Sequence, residues 1–144
     1  MAMLRELSYE QCEAILLRNR MGRIGIRDAE GVYVVPLSYA LRQGCIYAHC
    51  APGHKLALIH LWPHVGFEVD EIQNAEKWES VLVRGRCDEL QDEDEKFRAR
   101  ALLLGAFDGE LTQVTGGHGH RTTLADATLL RIRLDEVTGR ANNL

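Results

Sequence analysis

Residues 21–50, "MGRIGIRDAEGVYVVPLSYALRQGCIYAHC", hold three alternating runs joined by two turn signals. "DAEG" separates the first pair and "RQG" the second. Alternation with period two marks strands, and connections this short leave room only for antiparallel neighbours. In the middle run Val32, Val34, Pro36 and Ser38 share one face, and Tyr33, Val35, Leu37 and Tyr39 share the other. Pro36 has no N–H to give to a ladder. It therefore marks an edge, a bulge or the approach of a ligand.

The rest of the chain is read around this meander. Before it, "SYEQCEAILLRN" opens on Ser8 with Gln11 three residues on, a capping box that predicts a helix over about 8–19. After it, "GHKLALIHLW" reads as a helix of two turns that starts at Gly53 and is stopped by Pro63. "HVGFEVDEI" and "KWESVLVRGRCDEL" alternate as strands. "DEDEKFRARALLL" reads as a helix whose early carboxylates suit the positive end of its dipole, with Phe97, Ala101 and Leu104 as its buried stripe. Residues 105–123 contain five glycines and no period, which reads as a long loop. "ATLLRIRLDEVTG" closes as one strand with Leu130, Ile132 and Leu134 on one face. Six strands and three helices without βαβ alternation predict a mainly β (α+β) fold, a small antiparallel barrel with peripheral helices, as one domain over 1–144.

Composition narrows the function. A net charge of −4 over 144 residues argues against nucleic acid. No stretch of about 18 apolar residues occurs, so no membrane span is expected. "MAMLRELSYEQ" lacks an apolar signal core, so a cytoplasmic location with reduced thiols is expected for Cys12, Cys45, Cys50 and Cys87.

The densest chemistry lies in "AHCAPGHKLALIH", residues 48–60. A helix start exposes free amides that favour an anion, and Lys55 adds a full charge there. Spacing alone favours an ordinary solvent-facing turn over a phosphate grip. No zinc spacing is present among His49, Cys50, His54 and His60, so no metal is expected. Trp78 either stacks on a planar ligand or covers the core. "GGHGHR", with His118, His120 and Arg121, reads as a mobile surface loop ahead of a lid.

The pieces "MGRIGI", "YVVPLSYAL", "GCIYAHCAPGHKLALI", "PHVGFEVDE", "WESVLVRGRCDEL" and "IRLDEVTGR", in this order, resemble the flavin-binding split-barrel proteins related to pyridoxamine 5′-phosphate oxidase. Within that group the chain is most similar to the nitroimidazole-reductase-like branch. The resemblance runs through about residues 21–90 and 130–140 and leaves out 105–123. It implies a six-stranded antiparallel split β-barrel and a homodimer with FMN at the subunit interface. It assigns the FMN phosphate to Gly53, His54 and Lys55, with His54 where the oxidases carry Arg. It lays the backbone of Val35, Pro36, Leu37 and Ser38 along the flavin ring, beside Ala48 and His49. His49 becomes a candidate proton donor. Trp78 stays a candidate cofactor contact, and Ser80 is expected to reach the flavin from the partner subunit.

The implied activity is that of an FMN-dependent reductase, moving electrons from NAD(P)H to a nitro compound or quinone. A non-catalytic flavin carrier, or a haem- or deazaflavin-binding barrel, is the alternative. The chain ends at "TGRANNL" without the oxidase's extension bearing Trp and Arg, so oxidation of pyridoxamine phosphate itself is not expected.

Overall fold

The structure is a computed structural model that describes residues 3–106, 113–115, 121–123 and 127–143. Strand β1 (Met3–Glu6) leads into helix α1 (Tyr9–Arg18). The meander follows as β2 (Met21–Asp28), β3 (Gly31–Arg42) and β4 (Cys45–Cys50). Helix α2 (His54–Leu61) precedes the long hairpin of β5 (His64–Asn74) and β6 (Lys77–Glu89). Helix α3 (Glu93–Ala106) and the short strands β7 (Gln113–Thr115) and β8 (Arg121–Thr123) come next. Strands β9 (Thr128–Arg133) and β10 (Glu136–Asn143) end the described chain.

The main sheet has eight strands in the order β1-β10-β6-β5-β2-β3-β4-β9, and β6 also pairs with β9. That extra pairing closes a ring of six strands, β6-β5-β2-β3-β4-β9, all antiparallel. This is the expected six-stranded split barrel, and β10 and β1 extend one side of it. One edge of β6 serves two partners. Trp78 to Arg84 pair with β10, and Cys87 to Glu89 pair with β9. The handover falls at Gly85, where the Arg133 carbonyl of β9 lies so close that no Cβ fits.

The barrel interior is the main core. Alternation puts Ile24 and Ile26 of β2, Val35 and Leu37 of β3, Ile46 and Ala48 of β4, and Phe67 and Val69 of β5 inside. Helix α1 closes one end. Ser8 caps it in the predicted box with Gln11, and Cys12, Ile15 and Leu16 are buried. The hydroxyl of Tyr39 donates to the Leu16 carbonyl at 2.7 Å, so a core tyrosine satisfies its one polar group against the helix.

A second core lies between the barrel wall and α3, built from Ala40, Leu90, Ala99, Leu103 and Leu129. Here the expected stripe of α3 is out of phase. Phe97 is 69 % exposed and Ala101 and Leu104 are also exposed, whereas Ala99 and Leu103 face the wall. The small Ala99 lets the helix approach Leu129, which the bulkier Phe97 would prevent. Two further expectations are corrected. The single closing strand is two, broken at Leu134–Asp135, where Asp135 accepts the Arg86 amide at 3.2 Å. The span 105–123 is not one irregular loop, because Gly105 and Ala106 belong to α3 and β7 pairs with β8. His118 and His120 lie outside the described residues.

Candidate functional site

The site forms where the ring comes apart. Strands β3 and β4 pair from Arg42/Cys45 to Tyr39/Ala48 and no further. Beyond that point β4 continues with His49 and Cys50 paired only to β9, and β3 keeps only β2. The first eight residues of β3, 31–38, thus have one free edge.

Which groups face that edge follows from one hydrogen bond. The Tyr39 amide donates to the Arg20 carbonyl on the β2 side. Antiparallel ladders alternate, so Leu37, Val35 and Tyr33 also direct their backbone toward β2, while Ser38, Pro36 and Val34 direct theirs outward. The free edge therefore presents outward backbone at 32, 34, 36 and 38, with the amide missing at Pro36. Pro36 costs the β2 ladder nothing, because its missing N–H would have pointed away from it. The side chains of Val35 and Leu37 are buried, so those residues can present only backbone to a ligand.

Helix α2 starts beside this edge. Gly53, its N-cap, has φ 151 and ψ −150, a conformation open essentially to glycine alone. It offers no side-chain cap, so the first amides of α2 lack an intrahelical partner. The His54 ring meets Tyr33 of β3 edge-on, with centroids 5.8 Å apart. Lys55 turns the other way. It is 6 % exposed, and its Nζ has no hydrogen-bond partner among the described residues. Adjacent helix positions diverge by about 100°, so His54 lies on the surface while Lys55 points inward toward the end of β4.

His49 is buried there at 2 % exposure, and neither ring nitrogen has a partner among the described residues. Burial, and then the Lys55 charge, push its pKa down to about 4, so the imidazole is neutral at pH 7. Burial also lowers the pKa of Lys55. Cys50 is fully buried, and burial pushes its thiol up to about 11, which leaves it protonated and without claim as a nucleophile. An uncapped helix start with an inward lysine fits an anionic group, which would compensate a buried charge that no described residue neutralises.

The structure thus gathers Val35 to Ser38, Ala48, His49 and Gly53 to Lys55 around one parting of the barrel. It does not bring Trp78 and Ser80 there. They sit on β6, three strands from β3, a separation of about 14 Å at ordinary strand spacing. They line a separate groove of about 410 Å³ with Leu82, Thr138 and Arg140. His60, exposed on α2, pairs with Glu89 at 2.9 Å. Among the described residues no three His, Cys, Asp or Glu side chains gather as a metal site.

Sequence reading missed a polar network on the outer face of the sheet. Arg23 reaches Glu68 at 3.4 Å and Asp70 at 3.2 Å, and Ser80 donates to Glu68 at 3.1 Å. Burial, then the neighbouring Asp70, raises the Glu68 pKa. The signal was available as outward positions on adjacent strands, but it needs the register to be seen.

Residues 8–141 match the family model described as pyridoxamine 5′-phosphate oxidase. The chain belongs to that family. A FAD-binding protein from Mesorhizobium loti is 30 % identical over the whole of both chains and superposes with a TM-score of 0.79. A candidate 5-nitroimidazole antibiotic resistance protein from Bacteroides thetaiotaomicron has the same fold (TM-score 0.78) at 19 % identity, covering 99 % of this chain and 89 % of that one. An uncharacterised protein of Rhizobium meliloti is 26 % identical over 95 % of this chain and 94 % of its own.

Proposed function

We propose that this chain binds FMN where β3 and β4 part, and uses it to pass electrons from NAD(P)H to a small oxidised acceptor such as a nitro compound or quinone. One observation carries the reading: the uncapped start of α2 and the unpaired, inward Lys55 lie at the foot of a free strand edge. A phosphate at one end and a flat, hydrogen-bonding heterocycle at the other need that combination. The FAD-binding relative from Mesorhizobium loti supports a flavin.

In this reading the amides of 54 and 55 and the Lys55 ammonium hold the phosphate. The outward groups of Val34, Pro36 and Ser38 meet the ring edge. The missing amide at Pro36 avoids a donor clash and leaves a carbonyl acceptor. Bound flavin supplies reversible hydride and electron transfer, and the protein supplies position and polarity. Neutral His49 serves as a hydrogen-bonding group beside the ring. An anion on Lys55 would relieve the smaller part of the His49 pKa depression, while burial, the larger part, keeps the imidazole neutral.

A homodimer completes the proposal. Val32 and Val34 are 71 % and 61 % exposed on the outer face of β3, on either side of Gly25. An exposed apolar stripe of this kind suits a second copy of the chain. The partner would then bring Trp78 and Ser80 to the ring.

The visible absorption spectrum of the purified protein tests this first, followed by chromatography of the released cofactor to separate FMN from FAD. Two flavin bands are expected. A haem band, or a colourless protein that takes up neither flavin, sinks the proposal. Anaerobic bleaching by NADH or NADPH and reoxidation by a nitroaromatic then separate a reductase from a carrier, since a carrier shows neither.

A further inference from the structure

A cleft of about 180 Å³ lies between the barrel wall and α3, on the face of β4 that carries Tyr47. Three guanidinium groups line it: Arg42 from the end of β3, Arg98 from α3 and Arg131 from β9. Tyr47 adds a half-buried phenol and Gln43 an amide, over a floor of Ala99 and Leu102. Among the described residues Glu95 is the one carboxylate in the lining.

The charges in this cleft do not cancel. Arg131 forms two loose ion pairs, with Glu95 at 3.6 Å and Asp88 at 3.8 Å, both too long for hydrogen bonds, and its buried Nε has no partner among the described residues. Neither Arg42 nor Arg98 forms an ion pair or hydrogen bond among the described residues, and both are exposed enough to meet a ligand. Gln43 holds φ 50 in the β3–β4 turn, a left-handed conformation that suits Asn or Gly better.

We propose that this cleft binds a small, multiply charged oxyanion, a phosphate monoester or a short polycarboxylate, at a site separate from that of the cofactor. Size restricts the ligand. The cleft, at about 180 Å³, is smaller than the roughly 300–1,000 Å³ typical of drug-sized sites. Planar guanidinium forks match phosphate and carboxylate oxygens two at a time. The apolar floor and Tyr47 accept a short carbon skeleton. The site lies near the first one, because Tyr47 and His49 share a face of β4 about 7 Å apart.

Calorimetric titration of the purified chain with inorganic phosphate and with citrate, at low salt, with and without added FMN, tests the site. Wild type is expected to bind at least one anion, and which one saturates identifies the class. The Arg42→Ala/Arg98→Ala double variant is expected to lose at least about tenfold in affinity. These positions are exposed, so its melting temperature should stay unchanged. Lys55→Ala is expected to keep the anion binding and lose FMN. No heat with either anion, or a double variant that titrates like wild type, overturns the proposal. So does anion binding that disappears with Lys55→Ala, because it places the ion at the cofactor's phosphate site. Failure of FMN uptake is read separately and leaves this test intact.

Discussion

Two buried residues carry the burden of the site. Lys55 has an ammonium group that burial disfavours, and no carboxylate among the described residues offsets it. A lysine whose pKa is depressed by folding makes the fold more stable as pH rises toward the ordinary lysine range. Lys55→Met should therefore raise the stability of the cofactor-free chain by about 1–2 kcal/mol and remove that slope, while weakening FMN binding. Thermal melting and flavin titration on the same variant check both halves. His49 gives the second prediction. Its folded pKa of about 4 lies below its ordinary value of 6.5, so the unfolded chain takes up the proton first as pH falls. Its contribution is complete above about pH 6.5 and is lost on the way down to about pH 4, on the order of 3 kcal/mol. Urea denaturation at pH 7.5 and 4.5 should show this loss in wild type, and His49→Gln should shed that component of it.

At the scale of elements, β6 depends on Gly85. It changes partner from β10 to β9 there, under the Arg133 carbonyl. Gly85→Ala should cost about 3 kcal/mol or more, whereas Gly66→Ala, where a Cβ meets nothing, should cost little. Melting temperatures of the pair decide it. Elements were legible where local chemistry acts alone. The Ser8–Gln11 box marked α1, and alternation gave the correct faces of β3. In α3 two stripes have helical spacing, 97/101/104 and 99/103, and only the wall it packs on chooses between them. Strand β1 is four residues without a period and is stabilised by pairing with β10. In the site, the sequence placed His54 and Lys55 together in the first turn of α2, but not the phase that sends one outward and the other inward.

At the scale of the molecule, a closed barrel was expected but not the pair of strands that closes it, because closure rests on the pairing of β6 with β9 across a long stretch of chain. The outer face of β3 gives the test of assembly. Val34→Asp introduces a charge into the exposed apolar stripe, so the mass by light scattering should fall from dimer to monomer, with loss of flavin. A wild-type chain that is already monomeric refutes the assembly.

The free edge of β3 has one more consequence. A row of outward amides and carbonyls is a template for any passing strand, and chains that expose one tend to aggregate. Pro36 sits in the middle of the row, where it withholds a donor and sets a ring in the path of an incoming chain. Pro36→Val would restore an unbroken edge. Light scattering of the variant on warming without flavin should show faster aggregation than wild type, and the difference should shrink when flavin is added. The residue that shapes the site for a ligand would then also protect the chain during the interval before a ligand arrives.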